Sequence, residues 1–293
     1  MRFAATLGLL GLLALAAPAW GAEPWEDGIA TALGKPGMEM PGGVYRVGLP
    51  RSDLHVTLGG VTLKPGLALG SWLAFMRTSH NVVVMGDLVL TEEEVNPVMK
   101  RLLEGGIEIT ALHNHLLGSS PHTMYMHVAG HGSDGAALAA TLRAALALSG
   151  TPFASAPPAV PAPLDLDTSA LDRALGHKGK ANGPIYAFSI PRAETPREGG
   201  MVVPEAMGSA IAINFQPTGS GRAAIAGDLV LTADEVNPVL RTLRARGIEV
   251  TALHNHMLDD EPRLFFMHFW ANDDSVRLAQ AMGDALSHVK TAR

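Results

Sequence analysis

The chain has 293 residues, 47% of them hydrophobic and 17% charged, enough for about two domains with real cores. Its net charge of −6, its 5% aromatic content and the lack of any basic stripe exclude a nucleic-acid surface. The absence of cysteine excludes disulfides, thiolate metal ligands and the lipid-bearing cysteine of bacterial lipoproteins.

Residues 1 to 22 read as a secretory signal peptide. Met1-Arg2 is a short positive start, Phe3 to Ala17 is almost wholly apolar, and Ala17-Pro18-Ala19 is a small-x-small cleavage site, with a second at Ala19-Trp20-Gly21. The apolar run is too short for a comfortable membrane span. The expectation is an exported, soluble, periplasmic or secreted protein with no membrane span after cleavage.

The rest of the chain is written twice. Gly86 to Ala129 returns without a gap as Gly227 to Trp270, 141 positions later, with 25 of 44 positions identical. Each copy opens with a short helix, Trp25 to Leu33 or Ser169 to Leu175, stopped by Gly34 or Gly176. A strand follows, Val44 to Leu49 or Ile185 to Ile190, running into Pro50-Arg51 or Pro191-Arg192. Weaker strands fall around His55 to Leu63 and Met201 to Val203, and a further apolar strand starts at Gly70-Ser71 or Gly208-Ser209.

In the duplicated block, Asn81 to Leu90 is a strand. Thr91-Glu92-Glu93-Glu94 and Thr232-Ala233-Asp234-Glu235 carry capping-box patterns, although Asn96-Pro97 and Asn237-Pro238 are alternative helix starts. The helix ends at Gly106 or Gly247. Ile107 to His115 is the next strand, Thr123 to Ala129 returns antiparallel, and Asp134 to Leu148 is a last helix. This order predicts an α+β fold: two tandem homologous modules with mainly antiparallel sheets and packed helices, arranged as a pseudo-dimer. The modules cover 23–150 and 168–293. A Pro/Ala-rich linker, 151–167, separates them. Side-by-side packing and sheet continuation are both open.

Strand alternation places Ile107, Ile109, Ala111, His113 and His115 on one face, repeated by Ile248, Val250, Ala252, His254 and His256. The neighbouring strand brings His127 or His268 alongside. Each module is thus expected to gather three imidazoles, a ligand set for a divalent metal, zinc by default, with an open position for water. His122 and His131 are weaker extra ligands in the first copy, and Asp259, Asp260 and Glu261 lie in the second copy's loop. The plainer reading is a set of hydrogen-bonded core histidines.

Asp87 and Asp228, each after a glycine, are the candidate proton-shuttling or ligand carboxylates, with a turn or bulge at the glycine as the plainer alternative. Glu94 and Glu235 read as capping groups and Asn114 and Asn255 as loop braces. Glu108 and Glu249 read as solvated residues on the face away from the histidines. Arg51 and Arg192 read as exposed arginines able to grip an anion.

The phrases Gly86 to Thr91, Glu94 to Val98 and Thr110 to His115, with the endings Met124 to His127 and Leu264 to Trp270, resemble the LppY/LpqO family. The resemblance spans most of the mature chain. It implies an exported bacterial protein built on a tandem domain of unknown function, and it carries no established reaction. Its namesakes are lipoproteins, and the missing cysteine departs from that pattern.

The leading functional expectation is metal binding in each repeat, with metal-dependent hydrolysis as the reaction class. The alternative is a non-catalytic binding module for a small molecule or cell-envelope component such as a glycan, with Tyr125, Phe266 and Trp270 as its apolar wall.

Overall fold

The structure, a computed structural model, describes residues 24–154 and 164–292. The expected leader and the centre of the linker lie outside them. The first module contains α1 (Pro24–Leu33), β1 (Met38–Met40), β2 (Val44–Pro50), β3 (Thr57–Leu58), β4 (Val61–Thr62) and α2 (Pro65–Ala68). It continues with β5 (Gly70–Arg77), β6 (Val82–Thr91), α3 (Glu92–Glu104), β7 (Glu108–His113), β8 (Thr123–Gly132) and α4 (Gly135–Leu146). The second contains α5 (Thr168–Leu175), β9 (Lys180–Asn182), β10 (Ile185–Ile190), β11 (Arg197–Glu198), β12 (Met201–Val202) and a 3-10 turn, Glu205–Met207. It ends with β13 (Ile211–Gly219), β14 (Arg222–Leu231), α6 (Ala233–Ala245), β15 (Glu249–His254), β16 (Asp260–Glu261), β17 (Phe265–Asp274) and α7 (Ser275–Leu286). No helix among the described residues is long and apolar enough to cross a membrane.

Each module is a six-stranded antiparallel sheet of the same order, β1-β2-β5-β6-β8-β7 and β9-β10-β13-β14-β17-β15. Helices cover one face. Ile29, Val98, Leu102 and Leu142 pack on Leu73, Val84, Leu88 and Val128, and Leu171, Val239, Leu243 and Met282 form the second counterpart with Ile213, Ile225, Leu229 and Phe269. The α+β tandem, pseudo-dimeric architecture is the one expected.

Helices α3 and α6 start at their capping boxes, so Pro97 and Pro238 lie inside them. Thr91 and Glu94 each satisfy a free amide of the first turn, and Pro97 then removes only one later bond. Burial of Val95, Val98 and Leu102, about 1.5–3 kcal/mol each, outweighs that loss.

The caps are tied to an ion cluster that corrects the reading of Arg51 and Arg192 as exposed. Both are buried. Arg51 Nη1 donates to the Val89 carbonyl and to Glu94 at 2.7 Å, and its other nitrogens hold Asp53. Arg192 repeats this with Val230, Glu235 and Glu194. Glu94 and Glu235 also accept from the amides of Gly150 and Lys290, fixing the end of each module to its helix cap.

The helix-free faces of the two sheets turn toward each other, so packing is face to face. Each module also sends the connection after its Pro-Arg pair across the other. Gln216 accepts from the Lys64 amide and donates to the Thr62 carbonyl, while Asn214 donates to the Leu67 carbonyl. In return Arg46 donates to the Ala206 carbonyl. A mixed core of Leu58, Leu67, Val89, Tyr125, Ile185, Ala224 and Trp270 fills the seam. The second module's strand, expected from Gly208, starts at Ile211 because the 3-10 turn and a left-handed Gly208 (φ 93°) precede it.

Two bulges change the expected faces. In β7 the register jumps between Ile109 and Ala111, and in β15 between Val250 and Ala252. Ile107 and Ile109 therefore join the helix-side core, whereas Ala111 and His113 look into the seam. Glu108 aligns with Ala129 on the seam side, and both it and Glu249 are exposed. The bulged residues have their own task. Thr110 Oγ1 donates to the His256 carbonyl (2.6 Å) and Thr251 Oγ1 to the His115 carbonyl (2.7 Å), lacing the modules together.

Replacing Arg51 with Met leaves the half-buried Glu94 carboxylate with only the Thr91 and Gly150 amides. The expected loss is about 3–5 kcal/mol in urea unfolding, with part recovered in the Arg51→Met/Glu94→Leu pair. A loss below about 1 kcal/mol, as for a surface pair, would contradict this role.

Candidate metal centre at the module seam

Asp87 lies mid-strand in β6, between Trp72 on β5 and His127 on β8, and Asp228 lies likewise between Ala212 and His268. This corrects the turn-or-bulge reading of the Gly-Asp pairs. The glycines serve close strand packing. A Cβ at Gly86 would sit 2.8 Å from the Trp72 carbonyl and Leu73, and one at Gly227 would strike the Ala212 carbonyl. These two glycine carbonyls also accept hydrogen bonds from the rings of His127 and His268, the latter from Nδ1 at 2.8 Å. Each Nε2 is thereby turned away from its own strand, as the outer bond of a ligating histidine does.

His113 and His254 end strands β7 and β15, while His115 and His256 lie just beyond, in the loops. The expected strand to His115 stops two residues early. His115 stacks on Tyr125 and His256 on Phe266, both with ring centroids 3.4 Å apart. These aromatics are floors under the loop histidines. Trp270, the third residue of the expected apolar wall, is in the seam core. Asn255 Nδ2 donates to the carbonyls of Met257 and, across the seam, Thr110.

One imidazole trio per module was expected. The structure instead joins both trios in a single cluster. His113 stacks on His254 (3.5 Å), His115 on His268 (3.6 Å) and His127 on His256 (3.8 Å), each pair spanning the seam. Three trios bring one nitrogen from each ring within 4.8 Å of the others: His113/His115/His268, His113/His127/His254 and His254/His256/His268. Two of these mix modules. The reason is the face-to-face packing: each histidine projects from the helix-free face into the same space. Asp228 lies 3.1 Å from His256 Nε2, and Asp87 lies 4.0 Å from His115 Nε2.

His122 and His131 are outside the cluster. His122 is exposed and 3.5 Å from Glu92, and His131 is exposed near the end of β8. In the second loop, Asp260 is occupied by Arg263 and the Leu264 amide. Arg46 and Trp72, which the sequence reading passed over, flank the cluster instead. Their signal was a lone charged residue inside the apolar run Val44-Tyr45-Arg46-Val47.

Several buried polar atoms here have no protein partner: Nε2 of His127, His254 and His268, Nδ1 of His113 and His254, and Oδ1 of Asp87 and Asp228. Orphans at this density require a ligand or water. The donor set, imidazole plus carboxylate, fits a zinc-like divalent cation. The cluster opens on a cleft of about 740 Å³, lined by Asp87, His115, His127, Asp228, His256 and His268 together with residues of both crossing connections.

Burial first, and then the neighbouring imidazoles, push His113, His115, His127 and His254 well below the ordinary histidine range. Burial brings His256 down to about 3, and His268 is lowered by burial against the pull of Asp228. Burial and the charge of Asp228 raise Asp87 to about 8, opposed by Arg46, while burial raises Asp228 to about 6, opposed by His268. Six lone-pair-bearing rings are thus kept neutral, the protonation state that metal binding needs.

For the metal-free chain the signs are opposite for the two residue types. Histidines with lowered folded values are protonated first in the unfolded chain, so stability falls as pH drops below about 6.5. The two carboxyls, raised on folding, hold protons in the folded chain between about pH 4 and their folded values and oppose that fall. Six outweigh two. The melting temperature of chelator-treated protein should decline steeply from pH 7 to pH 5, and His127→Gln/His268→Gln should flatten the decline. A flat profile in the unaltered chain would contradict the buried, neutral cluster.

No curated relative matches the sequence. Among solved structures the chain is similar to the trimeric bacterial microcompartment shell protein PduB (13% identity, 93% of this chain and 95% of that one, TM-score 0.20). It is also similar to EtuB from Clostridium kluyveri (9%, 86% and 90%, 0.22) and to the double-ringed trimeric shell protein MSM0271 (10%, 73% and 85%, 0.19). Superpositions this loose carry no functional argument. A family model matches twice, over residues 27–148 and 169–288, and the chain belongs to that family, described as Domain of Unknown Function (DUF1259).

Proposed function

We propose that this protein is a metal-binding protein whose centre is shared by its two modules, and that it acts as a metal-dependent hydrolase. The observation that carries the reading is the set of unpaired, buried ring nitrogens converging at the seam beside a cleft. His113, His115 and His268, or His113, His127 and His254, would hold the cation, each set drawing on both modules. A bound divalent cation supplies Lewis acidity, polarising a carbonyl or phosphoryl group and making water acidic near neutrality.

The chain's own groups do the rest. Tyr125 and Phe266 fix the loop rings, and the Gly86 and Gly227 carbonyls set the tautomers of His127 and His268. Asp228 faces the cleft with Oδ1 unpaired, and burial raises its carboxyl to about 6, which suits a group that takes a proton from water and returns it to a leaving group. Asp87, beside Arg46, is its less accessible counterpart.

The leader sequence and the LppY/LpqO-like phrases support an exported bacterial setting for this chemistry. The size of the cleft also favours a second reading, a non-catalytic binding module for a small molecule or envelope component. That reading requires no metal.

Native protein should contain zinc or a similar metal by elemental analysis, and zinc should raise the melting temperature of the stripped chain. His268→Gln alone should weaken zinc binding, because His268 belongs to two of the three trios. Asp228→Asn should keep the metal and lose at least about a hundredfold of zinc-dependent turnover on an ester panel. Metal-free native protein that ignores added zinc in calorimetry would overturn the proposal. Turnover unchanged in Asp228→Asn would remove that residue's role.

A further inference from the structure

We infer that Arg46 is the seat for an oxyanion group, carboxylate or phosphate, at one end of the substrate cleft. Its assignment to a substrate rests on the function proposed above, whereas the seat itself rests on geometry.

The three arginines drawn into the fold are treated very differently. Arg51 and Arg192 are each gripped by two carboxylates. Arg46 has no carboxylate within ion-pair distance among the described residues. Its guanidinium carbon lies over the Trp72 ring, 4.1 Å from the centroid, and the group donates once, from Nη1, to the Ala206 carbonyl. Its remaining N–H groups have no protein acceptor among the described residues, and the side chain lines the cleft beside the cluster. A half-buried cation held rigid by a ring and a carbonyl, with donors left over, is preorganised for a planar or tetrahedral anion. Burial lowers its pKa to about 10, so it stays charged at neutral pH.

The duplication separates this residue from the metal centre. The six histidines and two aspartates occur in both copies. Sheet register pairs Arg46 with Ala74 and Trp72 with Asp87, and in the second module Ala187 with Asn214 and Ala212 with Asp228. Ala187 and Ala212 therefore stand where Arg46 and Trp72 would be. Beside an otherwise symmetric centre the two ends therefore differ, Arg46 and Trp72 at one and alanines at the other, in a lining that also includes Lys64 and Glu205. That one-sided seat fits a substrate with a single anionic end, bound in one direction. Arg46 is thus not one of the elements that the two copies share around the centre.

The test is calorimetry on the full chain, stripped and zinc-loaded, with inorganic phosphate in one arm and acetate in the other. At least one anion should bind. In stripped protein Arg46→Met should weaken that binding about tenfold to a hundredfold, and Arg46→Lys should fall between because it keeps the charge and loses the fork. The stronger arm identifies the group. In the unaltered chain, saturating anion should protect Arg46 from phenylglyoxal, read by peptide mass spectrometry, so the test survives a variant that does not fold. Anion binding indifferent to Arg46→Met, or absent protection, would overturn the inference. Arg46-dependent anion binding in a chain that ignores zinc would sink the metal reading and leave the seat standing. Zinc binding with no Arg46-dependent anion would do the reverse.

Discussion

Six imidazoles and two carboxyl groups packed into one seam are a heavy burden for a fold, because buried polar atoms without partners cost free energy. The rings are brought within stacking distance across the seam, and several nitrogens find no donor or acceptor in the protein. Everything around the cluster holds that arrangement in place. Tyr125 and Phe266 support rings from below, glycine carbonyls hold others from behind, and the bulged threonines stitch each histidine loop to the opposite module. A cation is the partner that satisfies such a set, and it restores charge to Asp87, which burial otherwise keeps protonated near neutral pH.

Duplication explains how the set arises. Each sheet has helices on one face only, so the other face has to be covered. The second copy covers it, and the reciprocal connections through Gln216, Asn214 and Ala206 lock the pair. His113 on the bare face of one module then meets its own equivalent, His254, while His115 meets His268 and His127 meets His256. One conserved strand pattern supplies half of a site, and the pseudo-two-fold supplies the other half. Divergence at Arg46/Ala187 and Trp72/Ala212 makes the two ends of the cleft chemically unequal without disturbing the centre.

Much of the fold was legible in the sequence. The capping boxes, the helix-stopping glycines and the Val-rich strand each follow from local chemistry. What was not legible follows from packing. The bulges at Thr110 and Thr251 break simple alternation, and nothing in Glu-Ile-Thr-Ala announces an extra residue whose hydroxyl is needed by a distant loop. Arg51 after Pro50 resembles an ordinary surface residue until the cap carboxylate of Glu94, 43 positions on, is folded over it. The candidate histidines could be picked out by repetition, yet their grouping could not. Whether they form two trios or one cluster depends on how the modules face each other, and no local pattern encodes that.

The most direct test of the account is anomalous diffraction at the zinc edge from crystals of the zinc-loaded chain. The account predicts a peak at the seam, with imidazole nitrogens from both modules about 2.0–2.1 Å from the metal. A peak ligated by one module alone, or none near these six histidines, would contradict it.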